Sequence, residues 1–441
     1  MKRKIVMCAA LVIAASMQAQ HQWTLEECIA YARENNITLK KAKLQQQQAE
    51  EEVKGSRAAL LPSLSGSTNH SIGYRPWQDN GTTTVTNGMV NTKIDKSYYN
   101  GSYGLNAQWT VWNGNKNRNT LKQNKLKAEQ AGFEAEVTAN SIQEQLAQLY
   151  VQILYLSESL KVTEQSLETS KKNEERGQQM LEVGKMSKAD VAQLSAQRAA
   201  DEYNIVESRA NIIKYKVQLK QLLELNGAEE FDIVVPETND QMALANIPSL
   251  QATYEQALAN RPEMKSSELS VKSSELSIKM AQAGKLPTVN LTGGLGTSTN
   301  SLSNKGWGNQ IKTNFDASAG VTVNIPIFDQ RQTKTATNKA RIQREQAILD
   351  MQDQQKQLYQ TIENYWLDAE TNQMKLRSAI ATEESEQQSY NLLQEQFQLG
   401  LKNIVELMSG KDKLLNAQQA RLQSKYQTIL ALEMLKFYSR E

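Results

Sequence analysis

The sequence predicts a mainly helical protein that also contains four β-strands and is built as an internal two-fold repeat. Three observations predict this fold class. Long stretches of the 441-residue chain carry apolar residues at three- and four-residue steps, which indicates helices with one buried face. Two shorter stretches alternate apolar and polar residues with a period of two, which indicates strands. Finally, the first half of the chain aligns on the second.

The composition argues against several functional classes. With 50 Lys+Arg against 48 Asp+Glu, the chain lacks the basic excess that a nucleic-acid-binding protein needs. Two His and two Cys provide little material for a metal site or a disulfide framework, so we expect neither a metal nor a cofactor. The sequence contains no Gly-rich phosphate-binding loop and no GxSxG, HExxH or CxxC motif, and we therefore do not expect an enzyme.

The N-terminus has the features of an export signal. Three basic residues precede an apolar run from Ile5 to Ala15, which has the length of a signal-peptide core. We expect residues 1–19 to be cleaved off; a short buried helix is the alternative. Cys28 is then the single cysteine of the mature chain, and the apolar residues around it on a helical face favour a packed thiol over a reactive one.

Self-alignment divides the chain into two repeats. Thr24–Leu64 aligns without a gap on Ser249–Val289, and the similarity continues to the ends of both halves. Each half has the same plan, in which two short helices are followed by a β-hairpin and two long helices. The predicted domains are a first repeat at 20–226, a joining segment at 227–248 and a second repeat at 249–441.

Each repeat ends in a long helical hairpin, predicted at about 113–226 and 329–440. In the first copy the helical spacing of apolar residues extends over 114–183, a stretch that would measure roughly 105 Å at 1.5 Å per residue. Gly184 and Gly400 interrupt the two runs at matching positions. Each run is therefore predicted to form two helices joined at the glycine.

Each repeat is also predicted to contain a β-hairpin, at about 62–112 and 287–328. The second strand of each hairpin alternates most clearly, from Tyr99 to Val111 in the first copy and from Phe315 to Ile327 in the second. The weaker partner strands and the closing loops are predicted at about 62–75, 76–96, 287–300 and 301–312.

The alternating strands fit a membrane β-barrel, because they are about ten residues long and have one apolar face. A soluble two-sheet cap would show the same alternation, and the pattern leaves both possibilities open. A sheet that spans a membrane must close on itself, since an open edge would leave unpaired backbone groups in lipid. About eight strands are the practical minimum for closure, so four strands require several chains to share one barrel. Three chains would supply twelve strands.

Aromatic residues flank the alternating strands. In a membrane β-barrel such residues form girdles at the two lipid–water interfaces, whereas in a soluble sheet they would pack in the core. The predicted interface residues are Tyr99, Trp109, Trp112, Phe315 and Phe328.

The chain resembles TolC-like outer membrane efflux proteins over about residues 22–441. Each matching motif is weak alone, but their doubled order and spacing are specific. They comprise the first segments of the two repeats, the turns between helix and strand, and the two hairpin tips. The motifs are Trp23–Cys28 with Asn35, Leu258–Glu263, Leu61–Leu64, Leu286–Val289, Val323–Asp329, Gly184 with Asp190, and Gly400 with Glu406.

The resemblance implies a homotrimer in which long helical hairpins form an α-helical barrel, topped by a twelve-stranded transmembrane β-barrel with four strands per chain. It implies a passive export channel of a tripartite efflux or type I secretion system. Such a channel lies in the outer membrane, extends into the periplasm and works with a periplasmic adaptor and an inner-membrane pump. The alternative is a periplasmic coiled-coil scaffold or adaptor without a pore, which explains the helices but not the two alternating hairpins.

The resemblance also implies a gate at the periplasmic helix tips. Glu406 aligns with an acidic residue of the family's constriction, and Lys402 aligns with a restraining cation. Asp190 is the matching acid in the first copy, and Phe397 aligns with a restraining aromatic residue, although it lacks a hydroxyl group. A ring of three Glu406 would favour cations. The alternative is an ordinary solvated helix start, because acids at a helix N-terminus also suit the helix dipole.

The two tips are further implied to dock the adaptor. The tip residues assigned to docking are Gly184, Lys185, Gly400 and Leu401. Both glycines also fit the C-terminal caps of their helices, a structural role that is compatible with docking.

Overall fold

A computed structural model describes residues 22–78, 80–85, 88–93, 95–227, 231–236 and 238–439. The predicted signal peptide at 1–19 lies outside the described residues. Helices dominate the described chain, and strands occur in both repeats, which confirms the predicted fold class.

The elements follow one another in the same general order in both repeats. The first repeat contains β1 (Gln22–Trp23), α1 (Leu25–Asn35), α2 (Ile37–Ala58), β2 (Ser63–Tyr74), β3 (Asn80–Val85), β4 (Gly88–Lys93), β5 (Ser97–Trp112), α3 (Lys116–Glu182) and α4 (Lys188–Leu222). The joining segment contains β6 (Asp232–Ile233) and α5 (Asp240–Ala243). The second repeat contains α6 (Leu250–Asn260), α7 (Pro262–Gln282), β7 (Thr288–Asn300), α8 (Trp307–Thr313), β8 (Asp316–Asn324), α9 (Gln332–Gln398) and α10 (Ile404–Ser439).

The chain forms two compact units, and each of them draws segments from both repeats. The helical unit takes the chain up to Lys43, Glu134–Met264 and the residues from Gln354 onward. The sheet unit takes Leu44–Phe133 and Lys265–Asp353. The compact units therefore differ from the sequence repeats, because α3 and α9 are 67 residues long and each contributes to both units.

The sheet unit contains a four-stranded antiparallel sheet in the order β2-β5-β7-β8. Directly paired residues point to the same face of a sheet, so the alternating residues of the four strands form rows across the sheet. Leu64 pairs with Ala107, Ala107 with Gly293, and Gly293 with Ala319. The adjacent row of pairs consists of Ser65, Asn106, Gly294 and Ser318. In this part of the sheet one face is therefore apolar and the other is polar. Further along the strands, Thr68, His70 and Thr299 place polar side chains on the same face as Leu64.

A β-bulge lies at one end of β5. The register between β5 and β7 shifts between Thr110 and Trp112, so that Trp112 pairs with Val289. Since Trp109 pairs with Leu291, two residues further along β7, both tryptophans lie on the apolar face. A bulge re-aims a side chain in this way by inserting one unpaired residue.

The outer segments differ from the predicted loops. Residues predicted as a turn-forming loop at 76–96 include a second hairpin, in which β3 pairs with β4. The segment predicted as a loop at 301–312 contains most of the short helix α8. The side chain of Gln310 in α8 bonds the backbone N–H and C=O of Asn300 and the C=O of Lys305, which holds this helix in place. Strand β8 is shorter than predicted, since Pro326 has no N–H to donate.

Among the residues that the structure describes, the helical unit buries three apolar clusters. One surrounds Leu146 and Ile153 of α3, and a second surrounds Ile362 and Leu435 in α9 and α10. The third lies close to the ends of the long helices and is described below. None of the helices in the described part of the chain combines the length and the apolar character needed to cross a membrane.

Candidate functional site

Two turns with the same geometry connect the long helices. Gly184 follows α3 with φ = 73°, and Gly400 follows α9 with φ = 75°. At the first turn, the N–H of Lys185 donates to the C=O of Met180, and the N–H of Gly184 donates to the C=O of Leu181. The second turn repeats this pair of bonds one repeat later. Both turns are Schellman motifs, in which glycine occupies the left-handed position without a Cβ penalty.

The helices after the two turns begin with matching caps. At the start of α4, the N–H of Asp190 donates to Ser187 Oγ, and the N–H of Ser187 donates to Asp190 Oδ2. At the start of α10, the N–H of Glu406 donates to Asn403 Oδ1, and the N–H of Asn403 donates to Glu406 Oε2. Each predicted gate acid therefore occupies the third position of its helix and closes a reciprocal cap.

Lys402 and Glu406 are brought together at the second tip. Lys402 Nζ donates to Glu406 Oε1 at 2.5 Å. This bond, together with the one from the Asn403 N–H, holds the pKa of the Glu406 carboxyl below its ordinary value. The hydrogen bonds of Asp190 run instead to Ser187 in its own helix start.

Phe397 is buried at the end of α9. Its side chain is 5 % exposed and belongs to an apolar cluster at the tips that includes Leu194, Tyr390 and Leu407. Phe397 therefore joins α9 to the helices that follow both tips.

The tip turns expose both apolar and charged side chains. Leu399 and Leu401 on either side of Gly400 are largely exposed, and so is Val183 before Gly184. An open groove of about 950 Å³ borders both tips. It is lined by Lys172, Glu175, Arg176, Gln179, Met180, Val183, Lys185, Gln398, Leu399 and Gly400.

The predicted interface aromatics lie at or near strand ends in the sheet unit, and they differ in exposure. Trp109 and Trp112 are each 37 % exposed, and Trp109 Nε1 donates to the C=O of Leu60. Phe315 adjoins β8 and is exposed, while Phe328 lies four residues beyond β8 and is 85 % exposed. Tyr99 is half-buried, and its hydroxyl lies 2.6 Å from His70 Nδ1.

One group of polar side chains in the helical unit was missed by sequence reasoning. Ser170, Asp201 and Lys411 are buried together among three different helices. The sequence contained a signal for the burial of Lys411, because this lysine stands at helical spacing between Leu407 and Leu414. Across the residues that the structure describes, no group of three or more His, Cys, Asp or Glu side chains could hold a metal ion.

Comparison with known proteins identifies the family. The sequence model of the family described as "Outer membrane efflux protein" matches residues 28–224 and 253–439. The chain is 23% identical to the outer membrane efflux protein BepC of Brucella suis, over 97% of this chain and 88% of that protein. It is 22% identical to the outer membrane protein TolC of Vibrio cholerae, over 99% of this chain and 95% of that protein.

A solved structure has the same fold. The outer membrane protein VceC of Vibrio cholerae superposes with a TM-score of 0.76 at 17% sequence identity, over 93% of this chain and 95% of that chain. Proteins of the matched family are channels and not enzymes. The chain therefore belongs to the outer membrane efflux protein family, and it is a channel of the outer membrane that extends into the periplasm.

Proposed function

We propose that three copies of this chain associate side by side and close their sheets into one twelve-stranded barrel. The observation that carries this proposal is the strand order, which leaves β2 and β8 at the two edges of the four-stranded sheet. Edge strands present unpaired N–H and C=O groups, which in lipid must find partners. Four strands are too few to close a barrel, and channels of this family are homotrimers. Strand β8 of one copy then pairs with β2 of the next.

The two faces of the sheet support a membrane location for these strands. The paired row of Trp109, Leu291 and Val321 continues the apolar face, and the exposure of Val321 fits contact with lipid. The opposite face carries the Ser and Asn pairs described above and suits a wet bore. Trp109 and Trp112 lie together at one strand end, where amphipathic rings favour the lipid–water interface.

The constriction of the channel is assigned to the tips of the long helices. Three copies bring three Glu406 carboxylates around one axis, where they favour cations and exclude anions. Lys402 pairs with each carboxylate and limits the repulsion among the three. Asp190 is the corresponding acid at the first tip. Phe397 holds the end of α9 against the apolar cluster and so restrains the second tip.

The exposed turns are assigned to docking of a periplasmic adaptor that links the channel to an inner-membrane pump. Channels of this family work with such partners. Leu401 next to Gly400 offers apolar contact, and Lys185 next to Gly184 offers positive charge. Both tips are rigidly capped, so an adaptor would meet a preformed surface.

Planar-bilayer conductance of the purified protein, combined with its mass in detergent, tests the proposal. We expect a trimer with cation-preferring single-channel steps, and Glu406→Gln should reduce the cation preference. Glu433→Gln, at the opposite end of α10, is the matched control and should leave the selectivity unchanged. A stable trimer that is absent from outer-membrane fractions and gives no steps would instead favour a scaffold without a pore.

A further inference from the structure

A buried charged group joins three helices of the helical unit below the tips. Lys411 of α10 and Asp201 of α4 form an ion pair in which the two side chains are 6 % and 2 % exposed. Lys411 Nζ also donates to Ser170 Oγ of α3 at 2.5 Å, and Ser170 Oγ donates to Asp201 Oδ2 at 2.6 Å. The second carboxylate oxygen accepts from Gln197 Nε2 at 3.2 Å. Each charge is therefore satisfied by partners within the unit.

These residues stand at positions that apolar residues fill elsewhere on the same helices. On α10, Lys411 follows the buried Leu407 by four residues and precedes the buried Leu414 by three. On α4, Asp201 follows the buried Leu194 by seven residues and precedes the buried Ile205 by four. Steps of three and four residues mark the core seam of packed helices. The ion pair therefore lies in the seam and does not belong to the solvated face.

The group also breaks the symmetry between the two repeats. In the alignment that places Gly184 on Gly400, Lys411 corresponds to Ser195 and Asp201 corresponds to Ala417. Serine and alanine cannot form an ion pair. The ion pair therefore joins a lysine of the second hairpin to an aspartate of the first, and the symmetry-related positions carry no equivalent pair.

We propose that Lys411, Asp201 and Ser170 form a register pin, which fixes the axial position of α10 against α3 and α4. Two hairpins of similar sequence can pack in alternative registers, because each shift by one seam step again brings apolar residues together. A shifted register would leave Lys411 and Asp201 buried without each other, which is strongly unfavourable. The pin therefore selects one register and adds little to stability compared with an apolar seam.

The consequence for the tips follows from helix geometry. Lys411 lies five residues after Glu406 on the same helix, or about 7.5 Å along its axis. A slip of one seam step would move Glu406 by about 5 Å relative to the first tip. An effect of the register pin on conductance depends on the proposed function, in which Glu406 forms the constriction. The effect of the pin on helix register does not depend on that proposal.

Distance measurements between the tips test the pin directly. Spin labels are placed on Val183→Cys and Leu399→Cys, which are both exposed, in a Cys28→Ala background. Labelled chains are mixed with an excess of unlabelled chains. Pulsed electron paramagnetic resonance then measures only the distance between the two labels within one chain. The test variant is Lys411→Met/Asp201→Leu/Ser170→Ala. Lys413→Met, an exposed lysine on the same helix, is the matched control.

We expect a single distance in the parent and in the control, and two distances in the triple variant, reflecting an axial offset of about 5 Å. The thermal midpoint of the triple variant should stay within a few degrees of the parent. Exchanging the charges, with Lys411→Asp and Asp201→Lys, should restore the single distance. A single distance in the triple variant would overturn the pin, and so would a triple variant that does not fold. Conductance is recorded separately. If the triple variant shows two distances while the parent, with its single distance, gives no channel activity, the register pin stands and only the proposed function is contradicted.

Discussion

Glu406 bonds two neighbours at once, since Oε1 accepts from Lys402 Nζ at 2.5 Å while Oε2 accepts from the backbone N–H of Asn403. The residue assigned to the constriction is therefore also the residue that caps its own helix. A substitution at Glu406 changes both the charge of the proposed constriction and the start of α10. Separating the two effects requires variants that remove only one of them.

Removing the Lys402 side chain leaves the reciprocal cap between Asn403 and Glu406 intact, but it deprives the Glu406 carboxylate of its lysine partner. We expect Lys402→Ala together with Asp190→Ala to raise the basal conductance in planar bilayers and the susceptibility of cells to large antibiotics. The reason is that unpaired Glu406 side chains repel one another in the proposed trimer, and the first tip loses the bonds from Ser187 to the Asp190 carboxylate. Lys436→Ala, which removes an exposed ion pair with Glu433 at the far end of α10, serves as the control. Unchanged conductance in the double variant would contradict the assigned restraint.

The tip glycines should be intolerant of a side chain. Gly184→Ala and Gly400→Ala place an alanine at φ values above 70°, which costs about 1–2 kcal/mol for an L-residue. Apart from the adjoining residues, a Cβ added at either glycine would meet no described atom within 4 Å, so the cost comes from the backbone alone. Hydrogen exchange in the last turns of α3 and α9 should increase about tenfold. Gly55→Ala, inside α2 and equally free of neighbours, should leave exchange unchanged or slow it.

The long helices and the tips could be predicted from the sequence because their signals are local. Apolar spacing defines α3 and α9, and glycine marks the positions where each of them ends. The junction at Pro62 is equally local, since a residue before proline leaves the helical region, and α2 ends at Ala58 before β2 begins at Ser63.

Features that depend on tertiary contacts could not be predicted in this way. Helix α8 is held by the buried amide of Gln310, whose backbone partners become neighbours only in the folded sheet unit. Lys411 and Asp201 are separated by 210 residues, so neither helix considered alone shows that the two side chains meet. The position of Lys411 in the apolar spacing of α10 indicates a buried lysine, but it does not identify the partner.

Acid should loosen the second tip through Glu406. Its pKa is held below the ordinary value of 4.5, so the folded state favours the charged carboxylate. The stabilisation is therefore complete at neutral pH and is lost as the pH falls through the lowered pKa. We expect hydrogen exchange in the first turn of α10, normalised to an unstructured peptide, to rise over this range. Glu406→Gln should remove the pH dependence, and a variant that keeps it would show that another group titrates.

Phe397 should contribute to stability through packing. Phe397→Ala leaves a cavity in the cluster around Tyr390 and Leu407, and such truncations cost about 3–5 kcal/mol. The thermal midpoint of the purified protein is expected to fall accordingly. Leu399→Ala, two residues further along and 75 % exposed, should change it very little. Equal effects of the two substitutions would argue against a packed role for Phe397.

Cys28 should be unreactive in the folded protein. The thiol is buried in the cluster around Leu146, and this burial, together with the nearby Glu27 carboxylate, raises its pKa to about 12. The thiolate fraction at pH 8 then falls about a thousandfold relative to a free thiol with a pKa of 9.0. We expect a maleimide or disulfide reagent to label the native protein very slowly and the denatured protein within minutes. Rapid labelling under native conditions would mean that α1 detaches from the helical unit in solution, because the reagent cannot otherwise reach the sulfur.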